Sequence, residues 1–454
     1  MKFLILDIYK NDNWRLVKDT AGGYGTGNDF GNSFFSKLIN ALVSKMINMP
    51  PMYAMYIYSI LRNKNSEVLY SKNYDPKNLD EFDYIITTSS IICHETEIKA
   101  LEELVAKNKK VFVAGIFANV MKKKYKFHKN IYVIPGEPEA FFLNINIDKK
   151  DLDSFFDDKQ DLKMMPQLVD NLDDLPFPDW HEYLKKYKLR NNFLGFNSKS
   201  AIPIVATRGC PYSCFNYCTY PLQQGRKVRA RSVKNIVSEI KYWIDKVGTN
   251  KFVFRDPVFS INRKHTIELC KEIIRQNLKI EYLIETHLKN LDDEMIPLLK
   301  ESGLKLVYIG IESSDPKVLK DIKRFTIAND EQQIIINKLK NNDILVKSMF
   351  MFGNPEDNED SIKDTISYSM KLSNQLVQYS VFTPYPGTPV FDKFKSIITE
   401  KKYEKFDQYT LTFSHKYLDE AKIEELKSLA YFKFYFDFKR IFRIIIYFFK
   451  SKYM

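Results

Sequence analysis

Short apolar runs alternate with longer amphipathic stretches over residues 1–143. Apolar runs of about four to eight residues are typical of buried strands, and a period near 3.6 is typical of helices. Helices are therefore predicted at Met52–Arg62 and His94–Lys107, and strands at Lys2–Tyr9, Glu67–Tyr70, Tyr84–Thr88, Lys110–Ala114 and Ile131–Ile134. This alternation predicts an α/β domain with a doubly wound, Rossmann-like parallel sheet, whose ligands bind beyond the carboxyl ends of the strands.

Residues 144–200 have a different composition and no convincing period. They include the acidic stretch DNLDDLPFPDWHEY, which also contains two prolines. We interpret this segment as a linker that packs across the domains on either side of it.

The alternation resumes in residues 201–398, where it is more regular. Strands are predicted at Ile202–Ala206, Lys251–Phe254, Ile280–Glu285, Leu306–Ile311, Val346–Phe352 and Val377–Phe382. Amphipathic helices are predicted between them at Val233–Lys246, Thr266–Arg275, Asp292–Lys300, Glu331–Asn341 and Ser361–Leu372. Six such units predict a partial (β/α)6 TIM-type barrel, with its active site at the carboxyl ends of the strands.

Residues 399–454 are predicted to form a C-terminal helical extension, with a helix from Asp419. The chain ends in YFKFYFDFKRIFRIIIYFFKSKYM, where aromatic, aliphatic and basic residues are interleaved. Such a segment suits either an amphipathic helix at a membrane surface or a terminal helix that covers the barrel. No apolar run reaches the roughly 18 residues that a membrane span needs.

Composition narrows the class of protein. With 454 residues, 44% hydrophobic and 28% charged, the chain has the balance of a globular protein of two or three domains. The net charge of +12 suits an anionic ligand or an acidic membrane surface, or reflects lysine-rich codon usage. No dense Lys/Arg stripe predicts nucleic-acid binding. The odd count of five cysteines argues against a secreted disulfide framework, and the first apolar run is too short for a signal peptide, so a cytoplasmic location is expected.

Three of the five cysteines lie together in 207-TRGCPYSCFNYCTYPLQQGRKVRARS-232, as Cys210, Cys214 and Cys218. A structural zinc site takes four ligands, and no second CxxC or HxxxH lies nearby. A redox relay is usually built on CxxC, which is absent. An iron–sulfur cluster held by three thiolates leaves one iron without a protein ligand, which is useful only if a substrate or cosubstrate binds there. Chance clustering stays open at this point.

The stretch RGCPYSCFNYCTYP resembles the cluster loop of the radical S-adenosylmethionine (SAM) superfamily. The resemblance implies that Cys210, Cys214 and Cys218 hold a [4Fe–4S] cluster whose open iron chelates SAM. The usual spacing in that family is CxxxCxxC, whereas this chain has CxxxCxxxC, with an extra residue at Phe215 or Asn216. We expect the loop to accommodate this residue and the cluster to form.

Four further residues match motifs that bind SAM in that superfamily. The resemblance implies that Tyr217 packs beside the adenine, although a plain loop aromatic is the alternative. Asp256, in FRDP, would contact the SAM amino group, or else cap a helix. Glu312, in YIGIESSD, would reach the ribose or amino group, and Gly353, in FMFGNPE, would lie beside the adenine.

The N-terminal part, with MPPMYAMYIYSILRNKNSEV and DNLDDLPFPDW, resembles the cobalamin-binding domain and linker of one large radical SAM class. The resemblance implies that Gly115 and Gly136 approach cobalamin and that Glu137 follows at the domain exit. No histidine lies in a D-x-H-x-x-G motif, so a degenerate or substrate-holding domain is the alternative. The loop TAGGYGTGNDFG could touch cobalamin or substrate.

The resemblance implies a cobalamin-dependent radical SAM enzyme that methylates an unactivated carbon or phosphorus centre of a small metabolite or lipid-like substrate. A cyclase, oxidase or rearrangement enzyme without methyl transfer is the alternative, and a degenerate SAM- or cluster-binding module is the non-enzymatic one. A flavodoxin or ferredoxin would supply electrons, and the basic aromatic tail suggests peripheral membrane contact. No catalytic side chain is assigned from the sequence.

Overall fold

The computed structural model of the protein describes residues 1–10, 16–27, 37, 47–72, 76–157, 167–187, 189–191, 201–437 and 440. Two parallel sheets dominate these ranges, one in each half of the chain. The α/β class predicted from the sequence is therefore confirmed.

The N-terminal sheet has the strand order β2-β1-β3-β4-β5, and every neighbouring pair is parallel. Its strands are β1 (Lys2–Leu6), β2 (Glu67–Ser71), β3 (Tyr84–Thr88), β4 (Val111–Ala114) and β5 (Ile131–Val133). After β1 the chain forms β2 on one side of it and then β3 to β5 on the other side. This reversal of strand order creates a crevice beyond the carboxyl ends of the strands. All five predicted strands are present.

The helices of residues 52–187 include both predicted ones and several short ones. They are α1 (Met52–Asn63), α2 (His94–Ala106), α3 (Ile116–Val120), α4 (Lys122–Tyr125), α5 (Pro138–Asn144), α6 (Lys149–Ser154) and α7 (Trp180–Lys186). The last two lie in the predicted linker. The Asp148 and Asp179 side chains cap them by accepting backbone N–H bonds. Trp180 donates from Nε1 to the Pro203 carbonyl at 3.1 Å, so the linker is tied to the barrel.

The second sheet has its strands in chain order, all parallel, as a partial barrel requires. They are β6 (Ile202–Ile204), β7 (Lys251–Phe254), β8 (Glu281–Thr286), β9 (Leu304–Glu312), β10 (Leu345–Phe352) and β11 (Leu376–Val381). The helices from residue 220 onward are α8 (Tyr220–Gln224), α9 (Val233–Val247), α10 (Arg263–Arg275), α11 (Met295–Glu301), α12 (Pro316–Asp321), α13 (Asn329–Asn341), α14 (Glu359–Lys371), α15 (Pro389–Phe394) and α16 (Glu420–Tyr435).

An apolar layer fills the barrel interior near the amino ends of the strands. It is a separate cluster of buried side chains, made of Ala201, Val253, Leu283, Leu306 and Leu345. Residues two positions further along a strand point to the same face, so the next inward-facing layer begins at residues 255, 285, 308 and 347.

The segment 16–27 of the N-terminal half lies against the mouth of the barrel. Tyr24 is fully buried and donates from its hydroxyl to the Pro386 carbonyl at 2.6 Å. Asp19 pairs with Arg255 at 2.9 Å, directly after β7. A Cβ on Gly22 would lie 2.6 Å from the backbone of Thr219, so only glycine permits this contact between the two halves. We call residues 16–27 the roof segment.

Helix α16 packs on the last barrel strand. The Tyr431 hydroxyl accepts from the Tyr379 N–H at 2.9 Å, and Tyr431, Ala430 and Phe434 are buried. The described part of the tail therefore covers the barrel. The predicted membrane-facing end, residues 441–454, lies outside the described residues. Within the described ranges, none of the helices combines the length and apolar character needed to cross a membrane.

Candidate functional site

A cavity of about 280 Å³ lies at the carboxyl ends of the barrel strands. Its lining combines the cysteine loop, the strand ends and the roof segment, which contributes Thr20, Ala21 and Thr26. This is the position at which (β/α) barrels carry their active sites. The roof segment encloses the cavity from the N-terminal side.

All three clustered cysteines line this cavity. Cys210 and Cys214 are 4% and 6% exposed, and Cys218 is half-buried. The Cys214 carbonyl accepts from Tyr217 N–H at 3.1 Å and from Cys218 N–H at 2.9 Å, so the loop makes one helical turn here. Residues four apart lie on one face of such a turn. The extra residue in the CxxxCxxxC spacing is thus taken up as helix, and Cys218 returns beside Cys214.

The electrostatic environment favours thiolate at Cys214. A hydrogen bond from the Cys218 thiol lowers the pKa of Cys214 to about 6; burial opposes this shift, and Arg324 adds to it. Nη1 of Arg324 lies 3.9 Å from the Cys214 sulfur. Burial instead raises the pKa of Cys210 to about 11. Binding of a metal would deprotonate all three thiols, because only the thiolate is a ligand.

The donor set fits an iron–sulfur cluster better than a single ion. Within the described ranges, no three His, Cys, Asp or Glu side chains are grouped closely enough to hold one metal ion. In a [4Fe–4S] cluster each iron takes its own thiolate, so the sulfurs need not converge on one point. Three thiols around one cavity satisfy that requirement, and a cluster held by them would have one iron without a protein ligand.

Glu312 faces the same cavity from the end of β9, where the strand is irregular. The pairing of β9 with β10 shifts register between Gly310 and Glu312, and Glu312 has a φ of 69°. A bulge and a positive φ at a non-glycine residue are both costly, and they occur mostly where a side chain must be aimed. Glu312 Oε1 lies 3.6 Å from Nε of Arg324. Burial raises the pKa of Glu312, and Arg324 opposes that rise.

Gly310 makes the Glu312–Arg324 pair possible. A Cβ at Gly310 would lie 2.6 Å from Glu312 Oε1 and 2.9 Å from Arg324 Nη2, both closer than van der Waals contact. Nη2 of Arg324 also donates to the Gly310 carbonyl at 2.7 Å. The sequence interpretation missed Arg324, because it lies after α12 and outside every quoted motif. Its only signal was an arginine shortly after the YIGIESSD motif.

Tyr217 lines the cavity, with its ring centroid 6.0 Å from that of Phe382, and its contact with adenine stays a prediction. Burial raises the pKa of Tyr217 far above its ordinary value, so the phenol stays neutral. The side chain is therefore a flat, uncharged wall beside the cysteines.

Asp256 lies behind the start of the cysteine loop, and its predicted contact with SAM stays a prediction. Its carboxylate accepts from Ala206 N–H at 3.1 Å and from Thr207 Oγ1 at 2.8 Å, and Asp256 is not among the described residues that line the cavity. Nor does it cap the next helix, because Asn262 does so. Asp256 thus anchors the start of the cysteine loop, while its neighbour Arg255 faces the cavity. Adjacent residues point to opposite sides, which explains the difference.

Gly353 also lies outside the described lining of the cavity. It has a φ of 71°, and a Cβ there would be 3.2 Å from Ile423 of α16. The structure therefore places Gly353 beneath the C-terminal helix, where it lets the tail approach the end of β10.

The residues predicted to touch cobalamin line a second cavity, between the N-terminal sheet and the barrel. Gly115, Gly136 and Glu137 border it, and its volume is about 40 Å³. That space holds about three water molecules, so a corrin does not fit between the described residues as they stand. Gly136 pairs with Gln167, and Gly115 packs against Ser89, so both glycines already serve contacts within the protein.

Glu137 belongs to a buried ion-pair network that closes this second cavity. It pairs with Arg229 at 2.8 Å and with Arg208 at 3.3 Å, and Arg208 also pairs with Glu139 at 2.8 Å. Burial raises the pKa of Glu137, but the two arginines outweigh it and hold the pKa below its usual value. Because Arg208 is two residues before Cys210, the network fixes the base of the cysteine loop.

The chain resembles known proteins over most of its length. It is 26% identical over 354 residues to the bacteriochlorophyllide d C-12(1)-methyltransferase of Chlorobaculum tepidum, covering 77% of this chain and 74% of that protein. It is 25% identical over 373 residues to the anaerobic magnesium-protoporphyrin IX monomethyl ester cyclase of Cereibacter sphaeroides, covering 77% of this chain but only 58% of the cyclase.

The fold has a solved counterpart. The structure of the cobalamin-dependent S-adenosylmethionine radical enzyme OxsB, with aqua-cobalamin and SAM bound, superposes with a TM-score of 0.68 at 12% identity. The superposition covers 96% of this chain and 67% of that one. A family model described as the Radical SAM superfamily matches residues 204–368. This match spans the cysteine loop, Glu312 and Arg324, so residues 204–368 of the chain form a radical SAM domain.

Proposed function

We propose that Cys210, Cys214 and Cys218 hold a [4Fe–4S] cluster and that the cavity beside them binds SAM. Once bound, the reduced cluster supplies the electron that cleaves SAM to a 5′-deoxyadenosyl radical. The observation that carries this proposal is the helical turn that brings Cys218 back beside Cys214 at the wall of the barrel cavity. It shows how the unusual spacing still delivers three thiols to one space.

The remaining cavity residues position SAM and exclude water. The Glu312–Arg324 pair offers one acceptor and one cationic donor next to the cluster loop, which suits the polar ends of SAM. Tyr217 supplies a neutral ring for the adenine. The roof segment covers the site, and a covered site protects a carbon radical from solvent.

The reaction that we favour is methylation of an unactivated carbon or phosphorus centre of a small molecule. The similarity to a bacteriochlorophyllide methyltransferase over 77% of the chain supports methyl transfer. Ring closure is the second candidate, because a cyclase is similar at nearly the same identity. The substrate itself is part of the proposal in either case.

Cobalamin is the methyl carrier that methylation would imply, and a cobalamin-dependent enzyme shares the fold. The structure sets a condition on its binding. The cavity at the seam between the two halves has a volume of only about 40 Å³, so the residues around it, among them Asp19 of the roof segment, would have to move apart to admit a corrin. Gly115, Gly136 and Glu137 border the seam at which it would enter.

The same proposal includes the domain limits and partners expected from the sequence. Residues 1–143, 144–200, 201–398 and 399–454 form the N-terminal domain, linker, barrel and tail. A flavodoxin or ferredoxin would reduce the cluster in the cytoplasm. Contact of the tail with a membrane surface is supported by its sequence and by the exposed rings of Phe432 and Phe436, which are 48% and 47% exposed.

Anaerobic reconstitution tests the core of this function. The protein loaded with iron and sulfide should form 5′-deoxyadenosine from SAM and dithionite, and serine at Cys210, Cys214 or Cys218 should abolish it. Cys270→Ala is the matched control, because Cys270 is buried in α10, away from the cavity. Product in all three serine variants, or its absence from the loaded wild type, refutes the proposal. Transfer of labelled methyl from SAM then separates methylation from ring closure.

A further inference from the structure

Four polar side chains form one row across the barrel interior. Glu285, Tyr308 and Lys347 are paired in register on β8, β9 and β10. Arg255 follows β7 two residues after Val253, which pairs with Leu283, so it extends the row beside Glu285. All four line the cavity, directly above the apolar layer. We call these four residues the polar row.

Charged groups at this depth need a reason. An apolar layer would have continued the packing of the barrel, as it does two residues earlier on the same strands. Burying a charge without a partner is costly, so such groups are retained mainly where they bind or react. The polar row is therefore a candidate binding surface rather than part of the core.

The members of the polar row differ in the interactions that their side chains already make. Arg255 is neutralised by Asp19 of the roof segment at 2.9 Å. Lys347 Nζ lies 4.8 Å from the centroid of the Tyr308 ring. For the Glu285 carboxylate, neither a hydrogen bond nor an ion pair is found within the described ranges. Glu285 thus presents an unused acceptor to the cavity, with a cationic group two strands away.

Burial shifts the pKa values of two members of the polar row. Burial raises the pKa of Glu285 to about 7, with Arg255 opposing, and lowers the pKa of Lys347 to about 8, with Glu285 opposing. A ligand of opposite charge would favour the charged form of each group. Neighbouring strands are about 4.8 Å apart, so the two side chains face a ligand from backbones roughly 10 Å apart.

We propose that the polar row recognises a small zwitterionic substrate of the amino-acid type, whose ammonium group faces Glu285 and whose carboxylate faces Lys347. This rests on the proposed function, because it names the substrate class of the same cavity. The amino-acid end of SAM is a different ligand: it is assigned to the open iron, and the row lies deeper in the barrel than Glu312, by four positions along β9.

Three probes that differ in the charges of their amino and carboxyl ends test this proposal. They are L-phenylalanine, N-acetyl-L-phenylalanine and L-phenylalaninamide; the benzyl group suits the apolar wall at Val258 and Met349. Binding to the cluster-loaded protein is measured by anaerobic calorimetry, with SAM present and no reductant. A charge-assisted hydrogen bond corresponds to about tenfold in affinity or more, so the zwitterion should bind at least about tenfold more tightly than either analogue.

Two variants assign the preference to its residues. Lys347→Met should remove the advantage over the amide, and Glu285→Gln should remove the advantage over the N-acetyl compound. Glu268→Gln and Lys271→Met are matched controls on the exposed face of α10, and both should keep the wild-type preference. The selectivity of the wild type stands as a test even if a row variant does not fold.

The outcomes separate the two proposals. Equal binding of the three probes, binding of none, or the same loss in the surface controls overturns the zwitterion site. Formation of 5′-deoxyadenosine by the same wild-type preparation shows that SAM cleavage is intact in that case. If no 5′-deoxyadenosine forms while the zwitterion is still preferred, the proposed function fails and the binding site stands.

Discussion

Gly310→Ala should separate SAM cleavage from folding. The new Cβ would lie 2.6 Å from Glu312 Oε1, whereas ordinary contact begins near 3.4 Å, so the carboxylate must retreat by about 0.8 Å. Arg324 Nη2, at 2.9 Å from the Cβ, must move as well. Overpacking of this kind costs about 1–3 kcal/mol of stability. A displacement near 1 Å of a positioning group costs about 10²-fold in rate, so we expect a loss of 5′-deoxyadenosine formation between tenfold and a hundredfold.

The assay is single-turnover formation of 5′-deoxyadenosine, with cluster content measured on the same samples. Gly248→Ala is the matched control: Gly248 has a φ of 69° but no atom within 4 Å of its Cβ position. It should lose about 1 kcal/mol of stability from backbone strain and keep its activity. Wild-type turnover in Gly310→Ala, or an equal loss in Gly248→Ala, contradicts the role given to the Glu312–Arg324 pair.

Three other measurements follow from the contacts described. Asp256→Asn should lower the free energy of unfolding by about 1–3 kcal/mol, because buried N–H groups of Ala206 and Thr207 lose a charged acceptor. A raised KM for SAM at unchanged stability would instead indicate that Asp256 binds SAM. Burial raises the pKa of Glu285 to about 7 from 4.5, so the wild type should lose stability relative to Glu285→Gln as pH rises from 4.5 through 7. Chemical denaturation at several pH values measures this, and a difference in unfolding free energy between the two proteins that does not change with pH would refute it. Cobalamin added anaerobically should bind only with faster hydrogen exchange in residues 16–27, and binding with unchanged exchange would refute the movement of the roof segment.

Two strands were predictable because they are buried on both faces. Tyr84–Thr88 and Lys251–Phe254 have the predicted bounds, since each is a short segment rich in β-branched and aromatic residues. Helices α6 and α7 were missed because six or seven residues make barely two turns, too few to show a period.

The site was predictable only where a motif fixed its residues. The three cysteines could be found because rare residues were clustered. Which of two adjacent residues at the end of a strand points into the barrel cannot be read from one sequence. This is why the sequence pointed to Asp256 but not to Arg255, which lines the cavity. Glu285 and Lys347 looked like single charges on separate strands, and only the register shows them as one row.

The roof segment has a consequence for how the protein can be divided. Asp19 and Tyr24 reach the barrel from a part of the chain made nearly two hundred residues before Cys210. A barrel expressed without residues 1–143 would lack the roof segment, so oxygen and bulk solvent would reach the cysteine loop directly. The truncated fragment should therefore lose its iron–sulfur absorbance in air even if every thiol is retained.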